Sequence, residues 1–222
     1  HPQATLEFFG VEPQMSVAEI WPGAGWYAEI LAPYLRAHGR YVAAGFVENK
    51  DTPDYRKQLM RDLRARFKQA PELFDKARIA PLGQPGSWTI APTATLDVVL
   101  TFRNVHNWVA AGYEKEMLKA FFASLKPGGV LGVVEHRAAP GTGIEQMKSS
   151  GYVTEDYVIQ LAQEAGFKLA GKSEINANPL DTRQYPEGVW TLPPILRLKQ
   201  QDREKYLAIG ESDRMTLKFV KP

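Results

Sequence analysis

The chain has 222 residues, of which 44% are hydrophobic and 23% are charged. These values fit one soluble globular domain with a full-sized core, so we expect residues 1–222 to form a single unit. The formal net charge of +2 gives no reason to expect nucleic acid or an anionic membrane as a partner. The longest apolar runs are only as long as a strand, which excludes a membrane-spanning helix. A small molecule is the expected partner, and the oligomeric state stays open.

The sequence contains no cysteine, which excludes disulfides, thiolate nucleophiles and cysteine-ligated metals. The lack of thiols favours an oxidising compartment. The chain also begins at His1 rather than at a methionine, which is compatible with a removed export signal or with a shortened sequence. We therefore expect a periplasmic or otherwise exported protein, with a cytoplasmic location as the alternative.

In the first half of the chain, short apolar runs alternate with helical stretches, a pattern typical of a parallel sheet flanked by helices. Pro33 should kink the first helix and Gly39 should end it. The buried stripe of the next helix recurs at every fourth residue. The predicted elements are a strand over 17–20, a glycine-containing turn over 21–25, a helix over about 26–38, a strand over 41–46, a helix over 54–69 and a weak strand over 77–80.

The second half continues the alternation and then departs from it. A tight turn over 126–129 leads into the fifth strand, and Thr154 is the expected N-cap of a helix that Gly166 ends. A long excursion over about 178–213 precedes the last strand, and a loop of that length predicts a lid or a substrate cap. The predicted elements are a strand over 96–102, a helix over 114–125, a strand over 130–134, a helix over 154–165 and strands over 167–175 and 214–220.

The strongest local motif is the segment 19–25 (EIWPGAG), which connects the first strand to the first helix. Glycines at such a turn let a ligand approach the backbone, and the following helix offers free N–H groups. Open α/β sheets bind ligands at this carboxyl edge. The motif therefore predicts a nucleotide-like or carboxylate-bearing ligand, and a simple tight turn is the alternative interpretation.

Polar and aromatic residues follow the fourth and fifth strands and should meet at the same edge of the sheet. The segment 103–108 (RNVHNW) contains His106, whose intrinsic pKa suits a general base near neutrality; alternatively, His106 and Asn104 only fix the loop through hydrogen bonds. His136 follows the fifth strand and is a second candidate base. A metal bound by His106, His136 and Glu135 lacks a ligand-spacing motif, so we predict no metal site.

The order of these motifs resembles that of class I S-adenosylmethionine-dependent methyltransferases. In that family an acidic residue opens the glycine motif, the fourth strand starts with Asp, here Asp97, and an LKPGG turn introduces the fifth strand. The strings EIWPGAGWY, FRNVHNW and GESDRMTLKFVKP are more narrowly similar to a bacterial group of predicted methyltransferases. Its members often carry export signals and have no established substrate. The resemblance implies a Rossmann-like fold, with a mostly parallel seven-stranded sheet, an antiparallel last strand and helices on both faces.

The resemblance also implies roles for individual residues. Two positions depart from the family pattern: Trp21 replaces the usual first glycine, and Gly45 stands where an acidic residue normally binds the ribose. The turn would hold the methionine part of S-adenosylmethionine, the end of the second strand would border the adenosine, and the residues after the fourth strand would line the methyl-donor end. The implied cofactor residues are Glu19, Trp21, Gly23, Ala24, Gly25, Phe46, Glu48, Arg103 and Asn104.

The predicted function is transfer of a methyl group from S-adenosylmethionine to a small-molecule acceptor, with His106 and His136 as the catalytic candidates. The predicted acceptor contacts are Asn107, Trp108, Arg183 and Trp190. A binding protein, or one with a different activity, on a degenerate methyltransferase fold is the alternative. A dinucleotide oxidoreductase is disfavoured, because Ala28 stands where the third glycine of its motif is required.

Overall fold

The computed structural model describes residues 1–83 and 86–222. Seven strands form one sheet in the order β3-β2-β1-β4-β5-β7-β6. Strand β7 is antiparallel to both of its neighbours, whereas β1 to β5 pair in parallel. The predicted seven-stranded sheet with an antiparallel last strand is therefore confirmed. The strands are β1 (Ser16–Ile20), β2 (Arg40–Phe46), β3 (Arg78–Leu82), β4 (Leu96–Phe102), β5 (Leu125–His136), β6 (Lys168–Ser173) and β7 (Arg214–Val220).

Helices cover both faces of the sheet and bury it in two apolar layers. One layer holds side chains from α1 to α4 and the other holds side chains from α5 to α8. All five positions of β1 are buried, as expected for a parallel strand covered on both faces. The helices are α1 (Pro2–Phe9), α2 (Ala28–Leu35), α3 (Asp54–Gln69), α4 (Pro71–Phe74), α5 (Val105–Ala111), α6 (Glu114–Ser124), α7 (Ile144–Ser150), α8 (Glu155–Glu164) and α9 (Arg203–Ile209).

Several predicted bounds were wrong at their ends. Helix α2 is shorter than the predicted 26–38, because the turn continues to its N-cap Tyr27. Strand β5 already begins at Leu125, which pairs with Leu96 before the register shifts. The predicted turn over 126–129 is therefore an irregularity within β5, where Gly128 has a φ of 78°. Helices α1, α4, α5, α7 and α9 were not predicted.

The excursion over 178–213 contains one 3-10 turn (Gly188–Thr191) and the short helix α9. It packs closely on α7, since a Cβ on Gly188 would lie 2.2 Å from the carbonyl oxygen of Ser150. Its C-terminal end is fixed by Asp213, whose carboxylate binds the guanidinium of Arg137. Among the helices of the described residues, none is both long enough and apolar enough to cross a membrane.

Candidate active site

The glycine-containing turn lies at the carboxyl end of β1. Gly23 has a φ of 60°, and a Cβ built there would meet nothing within 4 Å. A Cβ on Gly25 would instead lie 2.9 Å from Leu63 of α3. The Nε atom of Arg66, also on α3, donates to the carbonyl oxygen of Ala24 at 2.8 Å. Gly25 and Ala24 therefore pack against α3, and the open side of the turn is at Gly23.

Glu19, the acidic residue that opens the motif, is buried in β1. Its carboxylate accepts a hydrogen bond from the hydroxyl of Tyr41 on β2 at 2.6 Å. Burial raises the pKa of Glu19 to about 7, although the Tyr41 hydrogen bond acts in the opposite direction. Among the described residues, Tyr41 is the recorded hydrogen-bond partner of this carboxylate. Glu19 thus links β1 and β2 below the turn.

Trp21 has a φ of 46°, a left-handed conformation that suits the glycine it replaces. Its indole Nε1 donates to the carbonyl oxygen of Leu82 at 3.0 Å, and its ring packs 4.6 Å from that of Phe46. The guanidinium of Arg56 lies 4.9 Å from both ring centroids. The indole of Trp21 therefore points away from the glycine-containing segment and toward the ends of β2 and β3.

A cavity of about 260 Å³ opens at the carboxyl ends of β2 and β3. Its walls are aromatic and apolar on the sheet side and polar on the side of the loop that follows β2. The lining residues are Trp21, Phe46, Val47, Asn49, Asp51, Thr52, Pro53, Arg56 and Leu82.

Glu48 does not line this cavity. Its carboxylate binds the guanidinium of Arg64 on α3, and this hydrogen bond lowers the pKa of Glu48. The space next to Gly45 is occupied as well, because a Cβ there would lie 2.6 Å from the Cε atom of Met60. Asp51 is the one carboxylate among the lining residues.

The residues after β4 extend its pairing with β5. The N–H of Arg103 donates to the carbonyl oxygen of Val134 at 2.7 Å, and Arg103 has a φ of 60°. Asn104 is buried, and its Nδ2 donates to the carbonyl oxygen of Ile20 at 2.8 Å. Asn104 therefore holds the ends of β1 and β4 together, which agrees with the alternative that it fixes the loop.

A buried pair of His106 and Glu135 lies at the same edge. The two side chains are 8% and 0% exposed, and Nδ1 of His106 lies 3.0 Å from Oε1 of Glu135. The carboxylate also accepts from the backbone N–H groups of His106 and His136, at 3.2 and 2.8 Å. Because a carboxylate only accepts, Nδ1 of His106 carries a proton in this bond, which leaves Nε2 as the ring nitrogen that can exchange a proton with a ligand.

His136 lies next to this pair, with its ring centroid 5.2 Å from that of His106. Its Nδ1 atom is 2.5 Å from the hydroxyl oxygen of Ser212. Burial lowers the pKa of His136 well below its usual value, and the charges of His106, Arg214 and Arg103 act in the same direction. His136 is therefore neutral at physiological pH.

His106, Glu135 and His136 also offer three ligand-type atoms within 4.8 Å of one another. The hydrogen bond to Glu135 engages Nδ1 of His106, and two arginine charges act on His136. A hydrogen-bonded imidazole–carboxylate pair explains these contacts without a cation. The absence of a metal site stays a prediction.

The predicted acceptor residues lie in different surroundings. Trp108 is fully buried, with its ring 5.9 Å from that of Trp21, and Asn107 is partly exposed on α5. Arg183 donates to the carbonyl oxygen of Arg137 and binds Asp213. Arg183 thus anchors the excursion, and Trp108 belongs to the core.

Trp190 is the one residue of this set whose ring lies beside the histidines, 6.1 Å from that of His106. Tyr152 lies in the segment that follows α7, with its ring 6.2 Å from that of His136, and donates to Asp181 of the excursion. Sequence reasoning missed Tyr152 and the orienting contact of Glu135. A usable signal for Glu135 was its place beside His136 at the end of β5.

Comparison with solved structures identifies the class of fold. The chain is similar to an S-adenosylmethionine-dependent methyltransferase from Aquifex aeolicus, with a TM-score of 0.65 and 15% identity over 100% of this chain and 89% of that one. It is also similar to the cyclase SpnF, with a TM-score of 0.63 and 13% identity over 100% and 79% of the two chains. An arsenic(III) S-adenosylmethionine methyltransferase from Chlamydomonas reinhardtii matches with a TM-score of 0.59 and 12% identity over 96% and 64%.

No protein-family model matches the sequence, and the curated proteins contain no match either. The chain therefore has the Rossmann-like fold of S-adenosylmethionine-dependent methyltransferases. The sequence identities to these proteins are low, so the comparison defines the fold and not the acceptor.

Proposed function

We propose that this chain transfers a methyl group from S-adenosylmethionine to a small-molecule acceptor, with His106 as the general base. The observation that carries the proposal is the buried bond between His106 and Glu135 at the carboxyl edge of the sheet. Ligands of open α/β sheets bind at this edge. The shared fold supports S-adenosylmethionine as the cofactor. The pair of His106 and Glu135 supports proton removal by a general base.

The residues present fit an adenosine-bearing ligand in part. The cavity at the ends of β2 and β3 has aromatic walls from Trp21 and Phe46 and polar groups on the following loop. Its volume of about 260 Å³ is close to the lower limit for small-molecule pockets, about 300 Å³. Since Met60 fills the space beside Gly45, Asp51 replaces the usual acid as the candidate contact for the ribose.

S-adenosylmethionine, when bound, supplies an electrophilic methyl group. The chain has to orient the acceptor and remove its proton, and orientation is the larger contribution in a displacement of this kind. Glu135 fixes the His106 ring with Nε2 free to take a proton from a hydroxyl or an acidic carbon. Trp190 and Tyr152 lie beside the two histidines, with ring centroids 6.1 Å from His106 and 6.2 Å from His136.

Calorimetric titration with S-adenosylmethionine and S-adenosylhomocysteine tests cofactor binding. We expect micromolar affinity that Gly23→Leu weakens by about tenfold or more, because the open side of the turn is then filled. Gly141→Leu is the matched control, since Gly141 also has a positive φ and open space around its Cβ position. Absence of binding to folded wild-type protein would refute the proposal.

The role of His106 is tested in an acceptor screen with His106→Gln and Glu135→Gln. Loss of a general base lowers kcat by about 10²- to 10⁴-fold, and both variants should lie in that range. Both should leave the dissociation constant of S-adenosylhomocysteine unchanged. Equal loss of binding and turnover would instead indicate a structural role.

The second candidate is a different activity on the same fold. SpnF has a similar fold and is named as a cyclase, so the fold also occurs in a protein named for a different reaction. The filled space at Gly45 and the indole at position 21 favour this candidate. Micromolar binding of S-adenosylmethionine without turnover of its methyl group across the acceptor screen would support it.

A further inference from the structure

Two arginines approach His106 and His136 from the two strands that flank β5. Arg103 extends the pairing of β4 with β5 beyond the last residue of β4. Arg214, the first residue of β7, is the direct partner of His136 in the antiparallel pairing of β5 and β7. Directly opposed residues of an antiparallel pair have Cβ atoms about 5 Å apart. Both guanidinium groups therefore lie at the sheet edge that carries His106 and His136.

The hydrogen-bonding capacity of these two arginines is only partly used. Within the described residues, the Arg103 side chain makes no recorded hydrogen bond or ion pair, and it is solvent-exposed. The Nε atom of Arg214 is buried without a partner, and its Nη2 atom binds the half-exposed carboxylate of Glu211 at 2.5 Å. A buried, unpaired N–H of a charged group is costly. An anion that accepts from this atom would remove the cost.

Of the charges at this place, that of Arg103 is not paired with a carboxylate of the described residues, and it favours an anion. The facing groups are the cations Arg103 and Arg214, the carboxylate of Glu211, the carboxylate of Glu135 and the neutral ring of His136. Glu135 is already bound by His106 and two backbone N–H groups. Partial desolvation and the charge of the nearby Arg214 lower the pKa of Arg103, so each arginine charge destabilises the other. Arg103 also holds a left-handed backbone with a φ of 60°, a strained conformation that is common at functional sites.

We propose that Arg103 and Arg214 form a subsite for an anionic group, a carboxylate or a phosphate, of the acceptor molecule. The planar fork of a guanidinium matches both groups through paired charge-assisted hydrogen bonds. An acceptor held there lies beside His106 and His136. The anion subsite is independent of the methyl-transfer chemistry, whereas its assignment to the acceptor rests on the proposed function.

The test is a titration of the full chain with sodium benzoate and with inorganic phosphate at constant ionic strength, followed by NMR of the arginine Nε–H groups. We expect a saturable shift of the Arg214 resonance, because its N–H is buried and free to donate. Arg103→Gln should weaken binding by about tenfold or more through loss of a charge-assisted pair. Arg36→Gln is the control, since Arg36 forms an exposed ion pair with Asp75.

Comparing the affinities for benzoate and phosphate identifies the preferred group, because the anion that binds more tightly defines a carboxylate or a phosphate subsite. An unchanged Arg214 resonance with both anions, or equal affinity in Arg103→Gln, would overturn the subsite. Competition between benzoate and S-adenosylhomocysteine would assign the anion site to the carboxylate of the cofactor and overturn its assignment to the acceptor. Benzoate binding without any S-adenosylhomocysteine binding would refute the proposed function and leave the anion subsite intact.

Discussion

Met60 of α3 occupies the space in which a side chain at position 45 would stand. A Cβ on Gly45 would lie 2.6 Å from the Cε atom of Met60 and 2.7 Å from its Sδ atom. Met60 is only 2% exposed, so its thioether is held by the surrounding core. The position at which the methyltransferase family carries an acidic residue is therefore part of the contact between β2 and α3.

Replacing Gly45 with aspartate should destabilise the fold. Gly45→Asp has to displace the thioether and bury a carboxyl group, at a cost of about 2 kcal/mol or more. Met60→Ala alone should cost about 2–5 kcal/mol. The loss of stability in the double variant should be smaller than the sum of the two single losses by more than about 0.5 kcal/mol. Urea unfolding measures all three, and strict additivity would show that the two side chains do not share this space.

The sheet could be predicted from the sequence because its signals are local. Buried apolar runs such as β1 and β4 are bounded by turn residues, and their order along the chain indicated a parallel sheet. Helices α5 and α7 were missed because each has seven residues, too few for a clear helical period. The direction of the Trp21 indole was not predictable either, since it depends on a φ of 46° and on neighbours from β2 and β3.

The site could be predicted as a region but not as a set of contacts. His106 and His136 were expected at one edge because they follow strands whose carboxyl ends meet there. The bond from His106 to Glu135 joins residues 29 positions apart and depends on the pairing of β4 with β5. Arg183 was expected to contact the acceptor, yet its guanidinium binds Asp213, a contact made only when the excursion folds back.

Glu19 should make the stability of the protein depend on pH between about 4.5 and 7. Its pKa is about 7 in the folded chain against a usual value of 4.5, so the folded state binds the proton more tightly. The free energy of unfolding should therefore fall by about 3 kcal/mol as the pH rises through this window. Chemical unfolding at pH 4.5, 6 and 8 measures this decrease.

Two variants isolate the contribution of Glu19. Glu19→Gln cannot titrate and should flatten the pH dependence in this window. Tyr41→Phe removes the hydrogen bond that lowers the pKa of Glu19, so it should extend the decrease toward higher pH. A slope that survives in Glu19→Gln would assign the effect to another group.

Gly188 should be essential for docking of the excursion on α7. A Cβ there would lie 2.2 Å from the carbonyl oxygen of Ser150, a backbone atom that cannot swing aside. Gly188→Ala should cost about 1–3 kcal/mol through this overlap and increase proteolytic cleavage within 178–213. Gly141→Ala is the control, because Gly141 also has a positive φ but has open space around its Cβ position. Equal cleavage rates in the two variants would show that the contact does not hold the excursion in place.

Asp213 should contribute far more to stability than a comparable surface carboxylate. It is 1% exposed and binds Arg137 through two hydrogen bonds of 2.9 Å, with Arg183 as a second partner. Asp213→Asn leaves two guanidinium groups without their buried counter-charge, which should cost about 3–5 kcal/mol. Asp75→Asn is the matched control, because Asp75 binds Arg36 through two similar hydrogen bonds but is 43% exposed. It should cost much less, because an ion pair exposed to water contributes little to stability. Thermal and urea unfolding compare the two variants, and similar losses would mean that burial adds little to the Asp213 ion pair.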